Sequence, residues 1–134
     1  MGSVFEKLNL GSRQEIVVLD APESFTPELA LLPVITIHHH VESVAEAEFW
    51  LAFVTRKAEV AKLAPEIARR AKGDAIVWFA YPKGTSKTYT CDFNRDTGWA
   101  PLKKLGFDTV RSVAIDEDWT ALRFRRKEFI KQRS

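Results

Sequence analysis

Ala75-Ile76-Val77-Trp78-Phe79-Ala80-Tyr81 is an unbroken apolar run that ends in a basic turn, Pro82-Lys83-Gly84-Thr85-Ser86-Lys87. A short apolar run bounded by Pro and Gly reads as a buried strand. After it, Asn94 is a helix N-cap, and Trp99, Leu102 and Leu105 share the inner face of a helix over about 95–105. Gly106 stops that helix. Two more strands follow, Phe107 to Ile115 and Thr120 to Arg126, joined by Asp116-Glu117-Asp118-Trp119. A link of that length cannot make a parallel crossover, so these two strands pair antiparallel. The second half of the chain therefore reads as the end of an open α/β sheet closed by a hairpin.

The first half supplies the rest of the sheet. Glu15 to Asp20 is a buried strand, and Ala21-Pro22-Glu23-Ser24-Phe25 breaks it. Thr26-Pro27-Glu28 then has N-cap and first-turn residues for a short helix that ends before Pro33. Val34 to His38 is a second strand, and Ser43-Val44-Ala45-Glu46 has capping-box spacing for a helical turn. Phe49 to Val54 is a third strand, apolar on both faces and so central. The longest helix is expected from about Lys57 to Lys72. Val60, Leu63, Ile67 and Ala71 lie on one face, Pro65 should kink or divide it, and Gly73 suits its C′ position. Strands alternating with helices imply a mostly parallel sheet layered by helices. The expected fold is a three-layer, Rossmann-like α/β sandwich with six strands in the order 2-1-3-4-6-5, the last strand antiparallel. One domain is expected over 1–134, with its core at about 14–126 and a basic tail at 127–134.

Bulk properties narrow the class. The chain is 46% hydrophobic and 28% charged, which suits a folded domain rather than a disordered one. A single cysteine, Cys91, excludes an internal disulfide and a multi-cysteine zinc site, and fits a cytoplasmic protein. No long apolar run predicts a membrane span, and residues 1–7 have no apolar segment of the signal-peptide kind. A net charge of +2 does not predict nucleic-acid binding. Residues 123–133 are rich in Lys and Arg, and would matter for an acidic partner only beside a second basic patch.

Three stretches carry a family resemblance: Val17-Val18-Leu19-Asp20-Ala21-Pro22-Glu23, Trp78-Phe79-Ala80-Tyr81-Pro82-Lys83, and Ala114 to Phe124 through Asp116-Glu117-Asp118-Trp119. Over most of residues 14–126 the chain resembles the DUF3052 family of small bacterial proteins, a resemblance that implies a fold and no reaction. Its late antiparallel strand also resembles a shortened S-adenosylmethionine-dependent methyltransferase. Those enzymes carry a glycine-rich turn after the first strand. Here the turn is Asp20-Ala21-Pro22-Glu23-Ser24, which has no glycine and loses a backbone donor at Pro22.

Ligands of open α/β sheets bind beyond the carboxyl ends of the strands. That rule selects Asp20 and Glu23 after the first strand, Lys83 and Ser86 after the fourth, and Asp116 and Trp119 on the hairpin. Arg123 is a further charged candidate and a possible partner for Asp116. Lys83 and Ser86 suit a small anionic ligand, with Asp116 and Trp119 as the other wall. His38 and His40 point to one face of an extended strand and are weak metal candidates, lacking a third ligand at any recognisable spacing. Cys91 and the serines 24, 86 and 112 have no nucleophile context, so no catalytic residue is assigned and the cofactor is left open. The leading reading is a non-catalytic ligand-binding or interaction module. The alternative is a reduced S-adenosylmethionine-dependent methyltransferase, or another transferase using a nucleotide-like ligand. Homo-oligomerisation through an edge strand, the second or the fifth, is the partner expectation; nucleic acid and membrane are not expected.

Overall fold

The computed structural model describes residues 4–11, 13–32, 35–93 and 98–130. Its elements run α1 (Val4–Lys7), β1 (Glu15–Leu19), α2 (Thr26–Ala30), β2 (Thr36–His38), β3 (Ala47–Phe53), α3 (Lys57–Arg70), β4 (Ala71–Pro82), α4 (Ala100–Lys104), β5 (Phe107–Ala114) and β6 (Trp119–Arg126). The six strands form one sheet in the order β2-β1-β3-β4-β6-β5, as expected. β2, β1, β3 and β4 are mutually parallel, and β6 runs antiparallel to both β4 and β5. No helix among the described residues is long and apolar enough to cross a membrane.

Both faces of the central strands are covered. On one face Trp50, Val77, Phe79 and Phe124 pack against Val60, Ala64 and Ile67 of α3 and Leu102 of α4. On the other, Phe49, Leu51, Ile76 and Trp78 pack against Val4, Phe5 and Leu8 around α1 and against Phe25 just before α2. Trp78 Nε1 donates to the Leu8 carbonyl at 2.9 Å, which fixes the N-terminal turn to the middle of the sheet. A buried indole needs such an acceptor to recover the cost of leaving water.

Local expectations are corrected at five places. Thr26 is the first helical residue and not the cap, because a 3-10 turn at Glu23–Phe25 already turns the chain and buries Phe25. Ser43 ends a 3-10 turn, Val41–Ser43, instead of opening a helix. Val44 is extended and buried, and β3 begins at Ala47, so no length remains for a helix. Pro65 does not divide α3. The carbonyl it deprives of a partner is on Ala61, which is exposed like Pro65 itself, so water can replace the lost bond. Gly73 does not cap α3, which passes directly into β4 at Ala71. Its φ of +56° instead serves an irregularity where the β3–β4 pairing jumps from Ala47↔Ala71 to Phe49↔Ile76. The fourth helix is shorter than its pattern, Ala100–Lys104 with Trp99 at the N-cap; Asn94 and Val34 lie outside the described residues.

The hairpin is tied to the sheet at its far end as well. Arg125 Nε donates to Asp74 Oδ1 at 2.8 Å, and Nη2 donates to Oδ2. Arg126 donates to the carbonyls of Ala68, Ala71 and Gly73, satisfying the end of α3. The Arg125 hydrogen bond holds the Asp74 carboxyl below its ordinary range, although burial opposes this. A depressed carboxylate contributes stability above its unfolded pKa and loses it as the pH falls through the folded value. Asp74→Asn should therefore flatten the acid limb of stability against pH below about pH 4. The loss near neutrality should stay within about 1 kcal/mol, because the pair is a third exposed and solvent-screened. Urea titrations of both proteins at several pH values measure this.

Candidate functional site

The β4–β6 register sets Pro82 opposite Trp119 and Tyr81 opposite Thr120, so the turns after β4 and before β6 emerge at the same sheet edge. They are clasped together. The Lys83 N–H donates to the Asp118 carbonyl at 2.7 Å, and Ser86 Oγ donates to Asp118 Oδ1 at 2.8 Å. Ser86 Oγ also accepts from the N–H groups of Thr88 and Tyr89. Asp116 Oδ1 accepts from the N–H groups of Asp118 and Trp119, at 2.8 and 2.9 Å. This is the turn-forming use of an aspartate side chain. Ser86 and Asp116 are thus engaged in holding loops.

A cavity of about 460 Å³ opens at this edge, lined by Tyr81, Pro82, Lys83, Gly84, Ser86, Tyr89, Thr90, Cys91 and Phe93. A second hollow of about 260 Å³ shares Thr90 and Cys91 and continues along Thr55, Arg56 and Asp92 to the end of β3. The segment between them is anchored by Asp92: its Oδ1 accepts from Lys57 N–H at 2.7 Å, and its N–H donates to the Thr55 carbonyl. Glu59 Oε1 fastens the start of α3 by accepting from the N–H groups of Thr55 and Arg56. The result is a groove with aromatic walls, Tyr81, Tyr89 and Phe93, and one half-buried cation, Lys83. The Lys83 ammonium has no hydrogen bond or ion pair with a described residue.

The expected wall of Asp116 and Trp119 is therefore replaced by Tyr89 to Phe93. Trp119 is 3% exposed and packs edge-on to Phe53 at 5.2 Å and against Tyr89 at 4.9 Å, on the α1 side of the sheet. Tyr89 and Phe93 carry no motif; Phe93 is brought to the edge by packing on Tyr81 and Trp99, and Tyr89 by packing on Trp119. Arg123 pairs across the strands with Trp78, four residues along β6 from Trp119. At about 3.3 Å per residue it lies roughly 13 Å down the sheet from this edge, and does not reach Asp116.

Asp20 closes β1 at the point where the chain has neighbours on both sides, β2 and β3. It is exposed and adopts φ +56°, the left-handed conformation that glycine would take in a glycine-rich turn. The sharp turn is thus present without glycine, with a carboxylate where a glycine would leave open backbone. Glu23 is exposed at the start of the following 3-10 turn. His38 Nε2 is 2.7 Å from Glu15 Oε2, and His39 and His40 are exposed. Among the described residues no three His, Cys, Asp or Glu side chains gather as a metal site. Burial raises the Cys91 thiol above its ordinary range, which leaves it protonated and unsuited to attack at neutral pH.

No protein-family model and no curated protein sequence matches the chain, so the DUF3052 resemblance rests on the quoted residues alone. Solved structures do match. A SAM-dependent methyltransferase from Aquifex aeolicus superposes with TM-score 0.61 at 13% identity, over 92% of this chain and 87% of that one. Magnesium protoporphyrin IX methyltransferase from Synechocystis, with bound SAH, gives TM-score 0.59 at 10% identity, over 92% and 78%. The Methanococcus jannaschii fibrillarin pre-rRNA processing protein gives 0.54 at 11% identity, over 85% and 66%. The chain spans less than two thirds of that fibrillarin, and 39% of LepI, which was solved with SAM. At such identities the likeness is one of fold: the six strands and the antiparallel β6 are those of the methyltransferase sheet.

Proposed function

We propose that this chain is a reduced methyltransferase-fold domain that binds S-adenosylmethionine, or a nucleotide-like ligand with an anionic group, along the carboxyl edge of β3 and β4. The observation that carries this reading is the groove itself: aromatic walls for a planar ring beside a lysine ammonium with no partner among the described residues. The fold likeness to proteins solved with SAM and SAH supports it. The Asp20 turn supports it too, because the left-handed bend persists where glycine is absent. The edge-strand alternative has weaker footing. β2 is three residues long, and β5 is interrupted beside Val110, both features that blunt pairing with another chain.

For a transfer reaction this groove would position a ligand without activating it. Asp92 is committed to the Lys57 N–H, and the Cys91 thiol is held protonated. The reading is therefore one of binding, with turnover decided separately.

Thermal shift and calorimetry with S-adenosylmethionine, S-adenosylhomocysteine and common nucleotides test it. A ligand at a hundredfold excess over Kd should stabilise the fold by about 2.7 kcal/mol. Lys83→Ala should weaken binding about tenfold, the worth of one charge-assisted hydrogen bond, and leave the unliganded melting temperature unchanged. A flat response to the whole panel removes the proposal.

A further inference from the structure

The β5–β6 register places Arg111 directly opposite Arg123. On β6, Arg123 and Arg125 project to the same face as Trp119 and Ala121, the face packed by α1. Like charges facing each other across strands are unfavourable, and among the described residues the acid that acts on Arg123, Asp74, is already hydrogen-bonded to Arg125. The acids nearby are occupied. Asp74 is held by Arg125, and Asp108 sits opposite Arg125 in the register with its Oδ1 on the Thr109 N–H. Arg13 borders the same patch and spends Nη1 on the Asn9 and Leu10 carbonyls, with Glu48 3.8 Å from its Nε.

Arg123 is half-buried, and its Nε is buried without a hydrogen-bond partner among the described residues. A guanidinium in that state is costly, since desolvation without compensation leaves the charge unpaid. Burial holds the Arg123 pKa below its ordinary range, and the charges of Arg125, Arg111 and Arg13 add to that, while the Asp74 carboxylate only partly offsets them. Arg111 is exposed, as are Thr109, Val110 and Ser112, so the patch opens to solvent.

We propose that Arg111 and Arg123, bordered by Arg13, form an oxyanion site for a phosphoryl group on the β5–β6 face, separate from the groove at the carboxyl edge. Two guanidinium forks at one cross-strand position match the oxygens of a tetrahedral anion. Such bidentate contacts are what arginine supplies and lysine does not. An anion there would also remove the repulsion between the two arginines. The site stands independently of the groove and of what that binds.

Inorganic phosphate is the first probe, followed by phosphorus NMR and thermal shift at matched ionic strength with chloride as the control. Phosphate should bind the unaltered chain, and Arg111→Gln should weaken it about tenfold. Arg111 is exposed, so this variant should fold. Arg123→Lys keeps a charge but loses the fork, and should weaken phosphate similarly. Without phosphate Arg111→Gln should melt at or above the unaltered chain, and with phosphate below it. A short single-stranded oligonucleotide is the second arm. If its logarithmic salt slope falls by about one with each substitution, the phosphoryl group belongs to a polymer backbone. An unchanged slope with intact phosphate binding assigns a small ligand. A phosphate response equal to chloride, or equal in all three proteins, overturns the site.

Discussion

Trp78→Ala should cost about 3–5 kcal/mol, the range for truncating a fully buried aromatic residue, and lower the midpoint of urea unfolding accordingly. Trp78 lies on the central strand with no exposed surface. It packs in the cluster that includes Phe5, Leu8 and Leu51, and among the described residues it is the donor to the Leu8 carbonyl. Truncation leaves a cavity and an unsatisfied carbonyl at once. Trp119 supplies the comparison. It is also buried, but its Nε1 has no hydrogen-bond partner among the described residues. Trp119→Phe removes an uncompensated donor and should cost clearly less than Trp78→Phe, which strands the Leu8 carbonyl. Equal losses from the two phenylalanine variants would contradict this account.

Gly98→Ala should destabilise by about 2–3 kcal/mol. Gly98 has φ +88°, which an alanine adopts only under strain, and a methyl group there would sit 2.9 Å from Cβ and Cγ of Phe93. Phe93 is wedged against Trp99 and Tyr81, with ring centroids 5.0 and 5.7 Å away, and cannot withdraw without disturbing both. Because Phe93 lines the groove, the variant should also weaken whatever the groove holds. Gly84→Ala is the control. It lies on the same groove with nothing within 4 Å of a new methyl group, and should be close to neutral in stability. Urea unfolding of both variants decides whether the wall is as tightly set as its packing implies.

Much of this architecture is legible in residue order. Phe49 to Phe53 and Ala75 to Tyr81 are apolar on successive positions, which only a strand covered on both faces accommodates. The four residues Ile115–Asp118 between β5 and β6 leave no choice but a hairpin. Local caps were less legible, since Thr26 and Ser43 have the chemistry of caps at positions where Phe25 and Val44 must be buried. Burial outweighs a cap worth about 1 kcal/mol. The site was legible only as an edge. Lys83 follows from its place after the central strand. Which aspartate meets Ser86 does not, because Asp116 and Asp118 differ by two positions on one turn and only the clasp distinguishes them. Tyr89 and Phe93 were invisible because a loop has no periodicity from which a facing direction can be read. Arg123 reads in the sequence as a possible partner for Asp116, and only the antiparallel register reveals how far it runs from Trp119.

The position of β6 between β4 and β5 has a consequence for the chain as it is made. During synthesis, β4 emerges well before its neighbour, and its free edge stays open until residues 119–126 have left the ribosome. That edge runs from Val77 to Pro82, and Val77, Trp78, Phe79 and Ala80 are fully buried in the finished fold. A nascent chain stalled before Trp119 therefore displays an unpaired, aromatic strand, the kind of surface that chaperones capture and aggregates recruit. The strand of this sheet that is translated latest is the one that makes the earlier ones safe.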